Sequence, residues 1–368
     1  YIVDGIIISN SSNQLIDLGG NAQNRLADLN PNDIERIEII KGAAAAAVYG
    51  SRASNGVVQI FTKKGRIGEP TFSFSTNVRV NELRKEIDYN TVPLSWVDPF
   101  DRNNLETVPA TRYNYQDEFF GTGFGVENYL SMNGGNDKTS YFLSASHLDN
   151  EGIIENTDFR RIGFKANLTQ KAFDWLTVNA GLNYVRSVSS DIPNGGINAA
   201  YGAITGFVFS DNSINPFPNE SGVYPVTSNL VPRTNPLEAV NRFDFGQKVN
   251  RFITSIGLDA KITEKLSANY TLGLDYFNQS ATAFIPINNT SPNGNGFARR
   301  SDINNFQYNS DLNLSYKTNI NEAITSTTTL GGSWQYEEFD RIGISADGLP
   351  PIVETAESGS ILAQGEGR

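Results

Sequence analysis

Side chains that carry covalent or metal chemistry are scarce in this 368-residue chain, which has no Cys and one His. A thiol nucleophile, a disulfide framework and a Cys-based zinc site are thereby excluded. A Ser-His-Asp triad would rest wholly on His147, which sits in the stretch Ser140–Leu148 with no nucleophile motif beside it and reads as a rim residue. Gly121-Thr122-Gly123-Phe124-Gly125 resembles a phosphate-cradling glycine loop only superficially, because no helix follows it. Glu337-Glu338 is an acid pair of the type glycosidases use, but neighbours on a strand point to opposite faces. The sequence is therefore read as a non-enzyme, with no catalytic, metal or cofactor residues.

Rings remain as candidates for binding. A long irregular stretch carries Trp96, Phe100, Tyr113, Tyr115, Phe119 and Phe120. Flat aromatic faces stack on sugars and on peptide side chains, so Trp96, Tyr113, Tyr115 and Phe119 are candidates for a substrate path. The alternative is that they knit the loop together.

The elements that position these residues follow from composition and period. The formal net charge is −11 and the pI about 4.7, which argues against nucleic acid as a partner. Mean hydropathy is −0.34, and no apolar run approaches the ~18 residues of a membrane helix. A transmembrane β-barrel is not excluded, because its strands alternate and never look apolar on average. Tyr1-Ile2-Val3-Asp4-Gly5 begins inside what reads as a strand, so the chain is expected to be an interior piece of something longer.

Charge and pattern both change near residue 68. Residues 1–68 are nearly neutral at +1, and the remainder carries −12. The first part mixes short strands, Ile34–Ile40 and Val57–Thr62, with a short helix expected at Ala43–Val48, which makes a compact α+β unit. After Gly65 the chain becomes a series of period-two segments. Nine are expected, roughly 70–80, 124–134, 138–148, 158–169, 174–187, 248–262, 265–278, 303–317 and 322–338. Their polar positions are mostly Ser, Thr, Asn and Gly rather than the Lys and Glu of a water-facing sandwich, which suits a lumen inside and lipid outside. The connections alternate long and short: 81–123, then a Gly134-Gly135-Asn136 turn, 149–157, 170–173, 188–247, Thr263-Glu264, 279–302 and 318–321. That alternation is the habit of outer-membrane barrels.

At this point the residues carry a family likeness. The run Tyr1–Gly5, then Leu29-Asn30-Pro31-Asn32-Asp33-Ile34-Glu35-Arg36-Ile37-Glu38-Ile39-Ile40-Lys41-Gly42, then Tyr49-Gly50-Ser51-Arg52-Ala53-Ser54-Asn55-Gly56-Val57 resembles the plug of TonB-dependent outer-membrane transporters. With Thr62-Lys63-Lys64-Gly65 it looks like the SusC/RagA branch of Bacteroidota. Gly42 departs from the commonest text, where an Asp precedes the Ala run. The later Asn150-Glu151-Gly152-Ile153-Ile154 and Phe159-Arg160-Arg161 look like the same family's early strands.

The resemblance implies a mainly β protein, a transmembrane antiparallel barrel of about 22 strands when complete, about nine of them here, around a small α+β plug. Residues 1–68 would be the C-terminal part of the plug, and 69–368 the first part of the barrel with long extracellular loops. It implies TonB-driven import of a nutrient across the outer membrane, an oligosaccharide or alternatively a peptide. Its partners would be a SusD-like surface lipoprotein, TonB with ExbB and ExbD, and outer-membrane lipid. Asp33, Glu35, Arg36, Gly50, Arg52, Asn55 and Gly56 carry the plug motif. Asp33, Glu35, Arg36 and Arg52 are candidates either for plug–wall contacts or for mere solubilisation of the plug surface, and Gly50 and Gly56 for tight turns. A ligand-sensing receptor on the same scaffold and a soluble β-sandwich are the other readings.

Period two assigns faces. Leu182, Leu272 and Leu314 should point to lipid, and Asn183, Thr271 and Asn313 to the lumen. Leu272→Arg and Leu314→Arg should each cost about 2–4 kcal/mol near mid-membrane and reduce the barrel recovered in outer membranes. Thr271→Arg and Asn313→Arg should not. Equal losses in the two sets would show that the register is wrong.

Overall fold

The computed structural model describes residues 1–13, 15–16, 22–42, 45, 53–98, 101, 103–193, 201–228 and 233–367. The expected helix at Ala43–Val48 lies outside them except for Ala45, which is fully buried.

The N-terminal strands are short. β1 (Ile2–Val3), β2 (Ile6–Ile7), β3 (Ser12–Asn13), β4 (Gln23–Asn24), β5 (Ile34–Ile40) and β6 (Val57–Thr62) appear in chain order. Four of them make a small sheet in the order β2-β1-β6-β5, with β1 parallel to β6. Asp4 (φ 49°) and Gly5 (φ 91°) occupy the two left-handed positions of the β1–β2 turn, the chemistry an Asp-Gly pair supplies. Asn24 and Asn30 each cap a 3₁₀ turn by accepting from the backbone N–H two residues on, and Pro31 opens the second. β3 and β4 form a separate hairpin, beyond which Leu15 and Ile16 are buried.

The rest is dominated by one antiparallel meander. β7 (Gly68–Asn81), two loop strands β8 (Leu94–Trp96) and β9 (Thr107–Pro109), then β10 (Gly123–Gly135), β11 (Thr139–Glu151), β12 (Asp158–Phe173), β13 (Leu176–Asp191), β14 (Asp244–Lys261), β15 (Leu266–Ile287), β16 (Asn295–Asn321), β17 (Ile324–Asp347) and β18 (Ser360–Gly367) follow. Leaving out the β8–β9 pair, ten strands lie side by side in sequence order from β7 to β18. All nine expected segments are present, and β18 is a tenth that its Gly-rich text concealed. Among the described residues, three short helices sit in the long connections: α1 (Tyr115–Phe119), α2 (Ala203–Phe209) and α3 (Pro236–Arg242). No helix among the described residues is long and apolar enough to cross a membrane.

The expected faces hold. Leu182, Leu272 and Leu314 are exposed on one side, with Phe72, Phe74, Val78 and Val80 in the same outward set. The opposite side receives the small sheet. Strands from β10 to β16 all bond to this sheet or to the N-terminal segments beside it, although six strand spacings of about 4.8 Å would put the ends of a flat sheet ~29 Å apart. The large sheet therefore curls around the small one.

Three expected connections need correcting: 170–173 and 318–321 are strand, with the turns falling at 174–175 and 322–323. The connection expected at 279–302 is mostly strand, because β15 and β16 run on to leave only a turn at 288–294. The inner face changes character there. Near the small sheet it carries Ser, Thr, Asn and Gly. Farther along, Phe245, Val249, Phe277, Ala281, Ala283, Ile285, Phe297 and Ile303 point inward and pack with Phe119, Ile192, Ala239, Val240, Leu15 and Ile16. The long connections fold over this end and turn its inner face into a core, so the polar-inside pattern that marked the strands fails. His147 lies exposed on the outer face.

Gly65 stands where the chain leaves the small sheet for the large one. A Cβ there would lie 2.2 Å from the backbone nitrogen of Tyr141 in β11. Gly65→Val should therefore cost about 1–3 kcal/mol in chemical unfolding followed by tryptophan fluorescence. Gly332→Ala, with no atom within 4 Å, is the control and should be neutral.

Candidate functional site

The small sheet meets the inner wall mainly through polar groups, and Arg251 of β14 is their centre. Its side chain is about 1 % exposed. Nε and Nη2 donate to the two carboxylate oxygens of Asp275 on β15, at 2.9 and 2.7 Å, the paired geometry a guanidinium makes with a carboxylate. Nη1 donates to Arg25 O (2.6 Å) and to Asp28 (3.2 Å), and Nη2 to Ser9 O (2.7 Å). Asp275 also accepts from Ser9 N at 2.8 Å. Arg25 lies 3.5 Å from Asp28, and both are 1 % exposed. Burial pushes the Asp28 carboxyl up and the Arg25 guanidinium down, against the opposing pull of their charged partners. Arg25 Nε and Asp28 Oδ1 have no hydrogen-bond partner among the described residues.

Four further contacts surround this centre. Arg161 of β12 donates to Ala27 O (2.9 Å) and Leu29 O (3.2 Å), and is held by Glu127, which also pairs with Arg79 at 2.7 Å. Asp33 is buried and accepts from the hydroxyls of Tyr129 (2.8 Å) and Ser144 (2.6 Å). Asp4 accepts from Thr62 N and the Thr62 hydroxyl, with Lys165 at 3.9 Å, while Asn167 donates to Lys63 O at 2.7 Å. Gln307 and Asn309 of β16 both donate to Ile7 O. Apolar contact is modest: Val3, Ile6, Ile8 and Ile60 pack with one buried wall residue, Ile253.

The motif residues read from sequence divide. Asp33 sits in the interface. Glu35 is exposed 3.5 Å from Arg66, and Arg36 pairs with Glu38 and lies over the Phe61 ring at 3.8 Å. Asn55 is exposed in a turn, and Gly56 has φ 102° with Ile40 O 2.9 Å from where a Cβ would sit. Gly50 and Arg52 lie outside the described residues. Among the rings, Trp96 is half exposed on β8 and Tyr113 is partly exposed, whereas Tyr115 (2 %) and Phe119 (0 %) are core. Phe119 meets Phe120 edge-on and stacks on Phe207, and has no surface to offer. The sequence reading missed Arg25, Asp28, Glu127, Arg161 and Arg251 as an interface set. Glu127, Arg161 and Arg251 are charges at inward strand positions, which alternation alone does not separate from other polar positions.

Among the described residues, no three of His, Cys, Asp and Glu gather as metal ligands. The arrangement is a small unit held inside a wall by exchangeable polar contacts. Residues 1–57 match the family model for the TonB-dependent receptor plug domain. Among curated relatives, the TonB-dependent receptor SusC of Bacteroides thetaiotaomicron is 28 % identical over 85 % of this chain and 32 % of its own length. Over most of its length the chain is thus similar to SusC-type TonB-dependent receptors. TonB-dependent receptor P26 of Formosa agariphila is 26 % identical over 95 % of this chain and 35 % of its own. Among solved structures, the RagAB peptide importer in its open-open state superposes with TM-score 0.74 at 21 % identity, covering 98 % of this chain and 45 % of that one. The unliganded ferric citrate transporter FecA gives TM-score 0.52 at 14 % identity, over 100 % and 42 %. The chain thus spans about a third of the curated relatives' length.

The plug-type interface makes a sharp prediction. Arg251→Leu leaves Asp28 and Asp275 buried without their partner and should weaken plug seating by about 3–5 kcal/mol. Trypsin cleavage at Lys63 and Lys64 in outer-membrane vesicles should accelerate accordingly. Asp275→Asn in the same chain should recover part of the loss, because one uncompensated charge is removed. Unchanged cleavage in Arg251→Leu would show that the ion cluster does not seat the plug.

Proposed function

We propose that this chain is the plug-bearing part of a TonB-dependent importer that takes up a nutrient across the outer membrane. Residues 1–68 act as the C-terminal part of the plug, and 69–368 as the first strands of the barrel with its outer loops. One observation carries the reading: the plug bonds to seven consecutive wall strands through polar groups. Such groups can exchange protein partners for water when force is applied, whereas an apolar seal would have to expose oily surface. The work is conformational, the plug shifting against a fixed wall, with no covalent step.

The strands cross the bilayer with Leu182, Leu272 and Leu314 toward lipid. The turns at 136–138, 174–175, 262–265 and 322–323 lie on the periplasmic side, and the connections at 82–122 and 192–243 outside the cell. A SusD-like lipoprotein closes the outer mouth, and TonB with ExbB and ExbD supplies the pull. The cargo is an oligosaccharide. A peptide is the second reading, favoured by the fold shared with the RagAB peptide importer. Asp33 fixes the plug to β10 and β11, Gly56 shapes the turn into β6, and Trp96 and Tyr113 stand in the outer loop where cargo enters.

Two measurements test this. Cysteines at Glu106 and Glu220 should react with a membrane-impermeant maleimide on whole cells, and one at Asp174 only after lysis; the reverse pattern would invert the topology. Deletion of the gene should abolish growth on the cargo oligosaccharide, and deletion of tonB should do the same. Uptake surviving loss of TonB would leave a sensing receptor as the better reading.

A further inference from the structure

Cations on the outer side of the large sheet are of two kinds. Arg160 on β12 lies 3.3 Å from Asp149 and 2.9 Å from Asp158, and Arg300 on β16 lies 2.9 Å from Asp302. Each is neutralised by an acid close at hand. Arg186 on β13 and Lys248 on β14 are also exposed, and their side chains hold no ion pair or hydrogen bond among the described residues.

Register explains why. Leu182 faces outward, so Tyr184 and Arg186 do as well, and the pairing of Tyr184 with Phe252 puts Asn250 and Lys248 on the same side. Arg186 is diagonal to Arg160 across β12 and to Lys248 across β14, at the roughly 7–8 Å of diagonal neighbours. Among the residues beside Arg186 and Lys248, whether directly across, diagonal or two places along the strand, none is Asp or Glu. Like charges in such a row repel one another, and the acids on β11 and β12 are engaged by Arg160. The row lacks a counter-charge.

Its position is equally specific. From Tyr184 to Val178 and from Phe252 to Leu258 the outward positions carry no charge, so Arg186 and Lys248 are the first charges met on the way to the 192–243 connection. Directly beneath them the rings of Tyr184 and Phe252 stand 4.6 Å apart. A headgroup layer begins where such an apolar band ends, and the long stems of Arg and Lys carry charge into it. Four strands flank β13 and β14 on each side of the sheet, so this surface is complete within the chain.

We propose that Arg186 and Lys248 bind the phosphate of a phosphorylated glycolipid of the lipid A kind in the outer leaflet. A phosphomonoester carries about −1.5 to −2 near neutral pH, which matches two unpaired cations, whereas a phosphodiester lipid carries a single charge. Arg186 offers a planar fork to two phosphate oxygens, and Lys248 a point charge to a third. Asn250 and Ser280 stand beside them as neutral donors. The Tyr184 and Phe252 rings give the sugar a flat face, and the acyl chains lie along the uncharged positions below. The site rests on the barrel reading above and adds to it one lipid held at a fixed place on the wall.

The test is native mass spectrometry of the full-length protein, delipidated in detergent. It is titrated with monophosphoryl lipid A, the same lipid without phosphate, and phosphatidylglycerol. Monophosphoryl lipid A should bind tightest. Arg186→Gln and Lys248→Gln should each weaken it several-fold, and the double variant about tenfold or more. Arg300→Gln removes the same charge from the same side and should change nothing. Both positions are exposed, so the thermal midpoint should stay where it is. Equal affinity for the phosphate-free lipid, preference for phosphatidylglycerol, or an equal loss in Arg300→Gln overturns the site. Displacement of the lipid by millimolar inorganic phosphate would also overturn it, leaving a simple anion site. A bimane on Leu182→Cys in vesicles of brominated lipid separates the two claims. Quenching there, with lipid A binding indifferent to Arg186 and Lys248, removes the site and leaves the barrel standing. Absence of quenching removes the lipid-facing assignment itself.

Discussion

Arg251 sets the terms for the rest of the structure. A guanidinium with 1 % exposure must be compensated locally, since moving such an ion out of water costs several kcal/mol. Asp275 on the neighbouring strand answers half of that need. The rest comes from the plug, through the carbonyls of Ser9 and Arg25 and the carboxylate of Asp28. Neither body is electrostatically complete without the other. The wall fixes where the 9–28 segment must lie, and the rest of the plug is built outward from there.

Such an interface combines specificity with modest net stability. Replacing one partner strands a buried charge and costs several kcal/mol, but withdrawing the plug intact returns every charge to water and costs far less. The unpaired Arg25 Nε and Asp28 Oδ1 shift the balance further toward release. Apolar burial is confined to two places, Ile253 in the plug's small core and Leu15 and Ile16 in the core above it, and a fully buried Ile is worth about 1.5–3 kcal/mol. On the import reading proposed above, a plug that stays put at rest and yields to a pull needs this combination.

Much of this was legible in the sequence because period two is a strict code. The nine strands, their faces and the alternation of short and long connections follow from it, and Gly65 marked the change of pattern for a steric reason visible only in three dimensions. The plug motif was legible as text, yet of its candidates Asp33 alone reaches the wall among the described residues. Arg251 was hidden because a single inward charge on a strand looks like any other polar position until its register is paired with Asp275 and the plug is in place. The apolar upper lumen was hidden for the opposite reason. Polar-inside alternation marks strands only where the inside is wet, and the loops over β14 to β16 make it dry.

That change of lumen character divides the labour of the fold. Where the plug sits, the wall is polar and its contacts are exchangeable. Above it, Phe245, Val249, Phe277 and Ile285 anchor α2, α3 and Phe119 in a packed core that also takes in Leu15 and Ile16. A packed core resists partial displacement, since any gap forfeits close contacts at once. The outer loops are therefore held as a rigid rim, while the plug below is held by bonds that water can replace. The one apolar link between the two, Leu15 and Ile16, lies on the same plug segment that Arg251 grips. The 9–28 segment is thus tied to both wall and rim, and it is the part of the plug with the most to lose by moving. Displacement should begin elsewhere, at the β1–β2 turn, where Asp4 and Lys165 stand 3.9 Å apart without a direct hydrogen bond.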